Sequence, residues 1–244
     1  PLPYWSPGID CFVVNSKACA GVLRKKGVSR RRLRVIYNGV PRKRVTPDRS
    51  VDAVRHELGL AQDEPILGAL LDDGKNKGAE MLLRAFALAK DRMAGVRPVL
   101  VGITPDYWAP LVRELGIEDR VLLVPRQENV ADYLQAFSFM AAPSFSESMP
   151  NALMEALFLG VPIVATGVGG VPELVGDNGL LIAPGDVDGL SQALARMAQD
   201  QTLRGACREK ALAMSQQFTL EAKVENTLAV YREILTRRGF DVRS

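Results

Sequence analysis

Short unbroken apolar runs alternate with amphipathic stretches along most of the chain. The runs at residues 65–71 (PILGALL), 97–102 (RPVLVG), 120–124, 137–142, 161–166 and 179–183 predict strands. Between them, residues 77–93 place Met81, Leu82, Ala85, Phe86 and Ala89 at a helical period. Further helices are expected at 107–116, 130–136, 186–199, 202–216 and 220–237, and at 150–159, where Pro150 takes the first position and Gly160 lies past the end. Strands that are apolar on both sides, each followed by a helix, imply a parallel sheet covered on both faces. The expected fold class is α/β: a doubly wound, Rossmann-like parallel sheet of about six strands over residues 51–216. Such sheets bind ligands outside the carboxyl ends of their strands. Attention therefore falls on the loops after Leu71, Gly102, Val124, Ala142 and Thr166.

The opening segment reads differently. Residues 11–15 (CFVVN) and 33–37 (LRVIY) are strand-like and flank a helix at 17–26, capped by Ser16 and closed by Gly27. Two strands and one helix cannot bury a core by themselves. Residues 1–40 are accordingly expected to be the remnant of a larger N-terminal unit, 41–50 a linker or hinge, and 217–244 a terminal helix and tail.

Composition narrows the function classes. Of the 244 residues, 47% are apolar and 24% charged, which excludes intrinsic disorder. No apolar run reaches a membrane span, and residues 1–7 lack the pattern of a signal peptide. The three cysteines, Cys11, Cys19 and Cys207, form no CxxC pair, which points to a reducing cytosolic setting. His56 is the single histidine, which removes histidine clusters, histidine metal triads and most Ser-His-Asp schemes. Charge is uneven: residues 1–50 hold twelve Lys and Arg against two Asp, while the rest holds 19 basic and 26 acidic residues. The basic clusters run through 24–26, 30–34 and 42–44 without interleaved aromatics, so nucleic acid is not expected. An anionic membrane surface and a merely solvated face both fit them.

Several phosphate motifs fail. Gly68 to Gly74 has five intervening residues where a P-loop has four, and Asn76 stands where it needs Ser or Thr. In the segment from Gly167 to Pro172, proline takes the place of a dinucleotide fingerprint's third glycine. The informative loop follows the strand ending at Ala142. There Glu147 precedes a helix start, which is itself an anion site, and Glu155 lies inside the helix. Two carboxylates so placed suit hydroxyls on either side of a phosphate, or else are a solvated loop acid and a salt-bridged helix acid. Lys77, with Lys75 as substitute, could reach a pyrophosphate at the sheet edge or be a plain surface lysine.

These residues carry a family resemblance. Asn15-Ser16, the run Val35 to Val40, Lys77-Gly78, the run Arg126 to Val130, the stretch from Ser146 to Ala156 with its E-x7-E spacing, and the turn from Thr166 to Glu173 occur in an order that resembles the retaining glycosyltransferases of family 4, enzymes of GT-B fold. The resemblance covers about residues 10–236. It implies that Glu147 and Lys77 serve the reacting sugar and phosphate, and that Glu155 binds the ribose diol. It also implies that the backbone of Ser148, Met149, Pro150 and Asn151 meets sugar hydroxyls and phosphates, and that Arg126 and Gln127 frame the base. The implied donor is a nucleotide diphosphate sugar, UDP- or GDP-linked, with no metal and no further cofactor. The implied acceptor is a glycan or lipid carrier, and the implied location cytoplasmic, peripheral at the membrane's inner face.

This sequence departs from the pattern twice. Leu71 stands where the family usually has an arginine, leaving Lys75 as the expected second charge. The acceptor-binding half, about 150 residues, has no counterpart before Pro1. Two other readings follow: a non-catalytic sugar-nucleotide module or half of a split enzyme with a partner chain, and a nucleotide-sugar epimerase, against which the single histidine weighs.

Overall fold

The computed structural model describes residues 8–240; residues 1–7, read above as lacking a signal-peptide pattern, lie outside them. A small unit comes first: β1 (Phe12–Val14), α1 (Lys17–Lys25) and β2 (Leu33–Val35), with the two strands parallel and Phe12 opposite Leu33. Then follow α2 (Val51–Glu57), β3 (Ile66–Leu70), α3 (Ala79–Ala89), β4 (Arg97–Val101), α4 (Pro105–Glu114), β5 (Leu122–Val124), α5 (Ala131–Leu134) and β6 (Phe139–Ala142). The chain continues through α6 (Asn151–Phe158), β7 (Ile163–Thr166), α7 (Val171–Leu174), β8 (Gly179–Ile182), α8 (Val187–Gln199), α9 (Gln201–Ser215) and α10 (Leu220–Arg237).

Strands β3 to β8 form one parallel six-stranded sheet in the order β5-β4-β3-β6-β7-β8, the doubly wound fold expected from the pattern. Order reverses between β3 and β6, so their loops open a crevice at the carboxyl edge. The continuous apolar runs follow from burial of both faces. In β3, Leu67 and Ala69 join the core under α3, α4 and α8, while Ile66 faces the core under α5 and α6. Leu100 and Val99 divide in the same way in β4, and Val164 and Ile163 in β7.

Several boundaries differ from the sequence reading. Pro150 is the residue before α6 rather than its first: it is extended, with φ −71° and ψ 122°. Lys77 does not open α3 but ends a 3-10 turn, Lys75–Lys77, ahead of it. The glycine-rich turn continues into α7, a single helical turn with Pro172 near its start. The segment 41–50, expected as a linker or hinge, is held in place. It holds a 3-10 turn, Arg42–Val45, and is pinned by Asp132, which accepts from the backbone N–H of Asp48 (2.7 Å) and Arg49 (3.0 Å) and from Arg49 Nε (2.9 Å).

Helix α10 ties the small unit to the large one. Val40 N donates to Phe218 O at 2.8 Å just before α10, and the Tyr37 and Phe218 rings meet edge-on at 5.3 Å. On α10 Glu233 pairs with Arg34, and Arg237 at its end and Arg238 just past it both pair with Asp10. The helix buries no side chain; Leu220, Val224, Leu228, Tyr231 and Leu235 form an exposed apolar stripe.

Candidate functional site

Two glycines set the loops at the β3–β6 crevice. Gly78 has φ +73°, and a Cβ there would lie 2.1 Å from Pro143 O, so only glycine lets the Lys77 turn close against the end of β6. Gly169, at φ +51°, lies so close to the other side of the loop that a Cβ would stand 1.6 Å from Glu147 O. The loop is further stitched by Phe145 N donating to Asn76 O (2.8 Å) and Gly170 N to Ser148 O (2.9 Å).

Inside this frame Lys77 Nζ lies 2.7 Å from Glu147 Oε1, and Ser144 Oγ donates to the same oxygen at 3.0 Å. Both Lys77 and Glu147 line a small cavity floored by Leu71, Met140 and Leu153. Leu71, at the position of the family's arginine, is a buried apolar residue there. No side chain caps α6, so its first-turn N–H groups remain for an anion. Met149 is buried and Asn151 exposed. Pro150 has no N–H, so its part in the amide set implied by the resemblance falls to Ser148, Met149 and Asn151. Ser148 also reaches the small unit: its Oγ donates to Asn15 Oδ1 at 2.7 Å and contacts Cys19 Sγ at 3.1 Å.

Glu155 lies about one turn into α6 and is 2% exposed. Arg44, from the 42–45 turn, donates to its Oε1 from Nε (2.9 Å) and Nη2 (2.7 Å), while Oε2 is buried without a partner. Burial pushes the Glu155 carboxyl above its ordinary range, and Arg44 pulls it back in part. Arg44 in turn lines a cleft of about 790 Å³ together with Leu71, Gly102, Arg126, Gln127 and Glu128. Arg126 and Gln127 thus share a cleft with Arg44, the residue that pairs with Glu155. Lys75 is not brought to this crevice. It lines a separate cleft of about 730 Å³ between α3 and α4, with Tyr107, Trp108 and Phe145. The only histidine, His56, lies in α2.

Two residues of this region were not singled out from the sequence. Arg44 sits in a basic run and gave no signal beyond charge. Glu173 caps α1: its Oε2 and Oε1 accept from the N–H of Lys17 (2.9 Å) and Ala18 (3.0 Å), and Tyr37 OH donates to Oε2 at 3.1 Å. Among the described residues no group of three or more His, Cys, Asp and Glu is placed to hold a metal, and no helix is long and apolar enough to cross a membrane.

Comparison with known proteins places this geometry in a family. N-acetyl-alpha-D-glucosaminyl L-malate synthase of Bacillus anthracis is 32% identical over 208 residues, covering 83% of this chain and 54% of the relative. D-inositol 3-phosphate glycosyltransferase of Mycolicibacterium smegmatis is 33% identical over 87% of this chain and 51% of its own length. The chain thus spans about half the length of the curated relatives it matches. Among solved structures, Anabaena HepE in complex with UDP superposes with a TM-score of 0.81 at 25% identity, covering 93% of this chain and 64% of that one. Sucrose-phosphate synthase of Thermosynechococcus elongatus superposes with a TM-score of 0.78 at 28% identity, covering 93% and 59%. The family described as glycosyl transferases group 1 matches residues 66–200, which take in the whole six-stranded sheet from β3 through α8. The chain belongs to the group 1 glycosyl transferases.

Proposed function

We propose that this chain is the donor-binding half of a retaining glycosyltransferase that takes its sugar from a nucleotide diphosphate sugar. The observation that carries this reading is the line of unlike groups along one sheet edge. Arg126 and Gln127 flank a cleft for a base, and the buried carboxylate of Glu155 has one oxygen unmet. The uncapped start of α6 beside Lys77 suits a diphosphate, and Glu147 suits sugar hydroxyls. The complexes of Anabaena HepE with UDP and with UDP-glucose support a uridine diphosphate donor as the first to test. The helix dipole and Lys77 stabilise the departing diphosphate without a metal. Attack comes from the front face, with the leaving phosphate taking the acceptor's proton. The acceptor is a hydroxyl of a glycan or lipid carrier, reached at the cytoplasmic face of a membrane.

A second reading is half of a split enzyme, or a sugar-nucleotide module without activity of its own. It is favoured by the apolar stripe of α10, which with Val13 and Val22 is exposed and suits a further folded unit on the same or another chain. Thermal-shift and calorimetric titration with UDP, GDP and their sugar conjugates tests donor binding. Saturable binding of one diphosphate family supports the proposal; no response to any diphosphate overturns both readings. Sugar transfer on adding a separate acceptor-binding chain separates the two.

A further inference from the structure

The ion pair that holds Glu155 is one-sided. Arginine and carboxylate usually meet in a fork, one nitrogen to each oxygen. Here both Nε and Nη2 of Arg44 converge on Oε1, and Oε2 is left buried with no donor. An unmet buried carboxylate oxygen is costly, so an arrangement that preserves one calls for a ligand hydroxyl to fill it. Arg44 itself is 54% exposed along its side chain and lines the cleft that also holds Arg126 and Gln127. Its turn is anchored at both ends. Arg44 N donates to Pro41 O at 2.8 Å, and Thr46 Oγ1 to Arg42 O at 2.8 Å. Asn129, from the loop that follows Arg126 and Gln127, donates to Thr46 O at 3.2 Å and to Asp48 Oδ2 at 2.8 Å. The turn that carries the guanidinium is therefore fastened to the loop that frames the cleft.

We propose that Arg44 is a positioning residue for ribose recognition: it grips Glu155 through Oε1 so that Oε2 is turned to accept from the ribose hydroxyls of a nucleoside diphosphate. This rests on the reading of Glu155 as the ribose carboxylate. Arginine suits the task because its guanidinium stays charged and presents two donors in a fixed plane, so the carboxylate cannot swivel. A lysine would keep the charge but supply a single-point grip. The turn belongs to the segment joining the small unit to the large one, so the orientation of Glu155 is also tied to where that segment lies.

The test compares dissociation constants for UDP and 2′-deoxy-UDP, with the guanosine pair in parallel, by titration calorimetry on the purified chain. The wild type is expected to prefer the ribonucleotide by about tenfold or more, the scale of one hydrogen bond to a charged group. In Arg44→Gln that preference is expected to fall to within about twofold, with 2′-deoxy-UDP binding little changed. Arg44→Lys is expected to retain an intermediate preference. A purely structural role for Arg44 would weaken both nucleotides together, and a wild-type ratio preserved in Arg44→Gln overturns the inference alone. A wild type that does not distinguish the two sugars overturns the assignment of Glu155, and the inference with it. Should Arg44→Gln fail to fold, Arg44→Lys decides, since a ratio equal to wild type there rules out the two-donor grip.

Discussion

Lys77 Nζ and Glu147 Oε1 stand 2.7 Å apart at the mouth of the crevice, so the cation assigned to the diphosphate and the carboxylate assigned to the sugar hold one another. A donor spanning both must take Lys77 partly from Glu147. Removing Glu147 releases the lysine, and Glu147→Ala is expected to bind free nucleoside diphosphate within about 0.5 kcal/mol of wild type, or more tightly, while losing affinity for the intact donor. Lys77→Ala is expected to lose about 1.5–3 kcal/mol with free diphosphate, the range for a bond to a charged group. Calorimetry with both ligands checks this; equal losses of diphosphate affinity in the two variants would dismiss the division of roles.

The sheet was legible because each of its six strands is apolar on both faces, and an apolar run needs no partner to be recognised. The crevice was legible as far as local spacing reaches: Glu147 and Glu155 lie in one strand–loop–helix passage. Residue type alone does not separate Lys75 from Lys77, since both follow the same strand. The structure separates them because a 3-10 turn rotates about 120° per residue, which sends positions two apart to different sides. The roles of Arg44 and Glu173 left no signal, since their partners lie 111 and about 155 positions away and a long-range contact imposes no local period. The anchoring of the 41–50 segment left no signal for the same reason: its proline and charge content is that of a linker, and the acid that pins it, Asp132, is 84 positions distant.

Glu155 is expected to cost stability at neutral pH. Burial raises its carboxyl above the ordinary value of 4.5, so its folded form holds a proton more tightly than its unfolded form. Its contribution is fully present below about 4.5 and is lost as pH rises through the raised value. Glu155→Gln keeps the shape without the charge, and its exposed partner Arg44 can turn to water. The variant is expected to melt on the order of 2 °C above wild type at pH 7, with the gain vanishing near pH 4. Scanning calorimetry across pH checks this, and a variant less stable than wild type at pH 7 would mean that Glu155 is a structural ion-pair residue.

Asp132 has the opposite sign. Burial opposes its ionisation, but the Arg49 guanidinium and the N–H groups of Arg49 and Asp48 outweigh it, so its carboxyl is held below the ordinary value of 3.8. Its stabilisation is present above that value and is lost as pH falls through the lower folded one. Asp132→Ala strips three donors of their acceptor and frees the 41–50 segment. It is expected to destabilise by about 2–3 kcal/mol at pH 7. Urea unfolding at pH 7 and pH 3 measures the loss, and a cost that is equal at both would deny the ion pair its role.

The basic clusters are only partly free for an anionic surface. Arg34 is engaged by Glu233, Arg44 by Glu155 and Arg49 by Asp132 and Glu57, whereas Arg24, Lys25, Arg42 and Lys43 are exposed. Cosedimentation with anionic vesicles at low salt is expected to exceed that with neutral ones and to fall sharply at about 0.15 M salt, where the Debye length is roughly 8 Å. Equal pelleting with both lipids would leave these charges as a solvated face.

Glu173 joins the small unit to the sheet through the start of one helix. Its two oxygens take the N–H groups of Lys17 and Ala18, and Ser16 Oγ takes that of Cys19 at 3.1 Å, so the opening turn of α1 is capped from two parts of the chain. The same carboxylate accepts from Tyr37 OH, and burial together with this neighbour pushes the phenol up to about 12. Glu173→Ala leaves Ser16 in place but uncaps two donors and frees Tyr37. It is expected to cost about 1–2 kcal/mol, in the range of a lost helix cap. Amide hydrogen exchange should then quicken at Lys17, Ala18 and along β1 and β2, while β3 to β8 keep their protection, because the six-stranded core makes none of these bonds. The Tyr37 titration, followed by ultraviolet absorbance against a Tyr37→Phe reference, should move down from about 12 as the carboxylate's contribution disappears. Faster exchange spread evenly over both units would mean that Glu173 supports the sheet itself. Exchange confined to the small unit would identify it as the clasp that sets where Asn15 and Cys19 meet Ser148 on the donor loop.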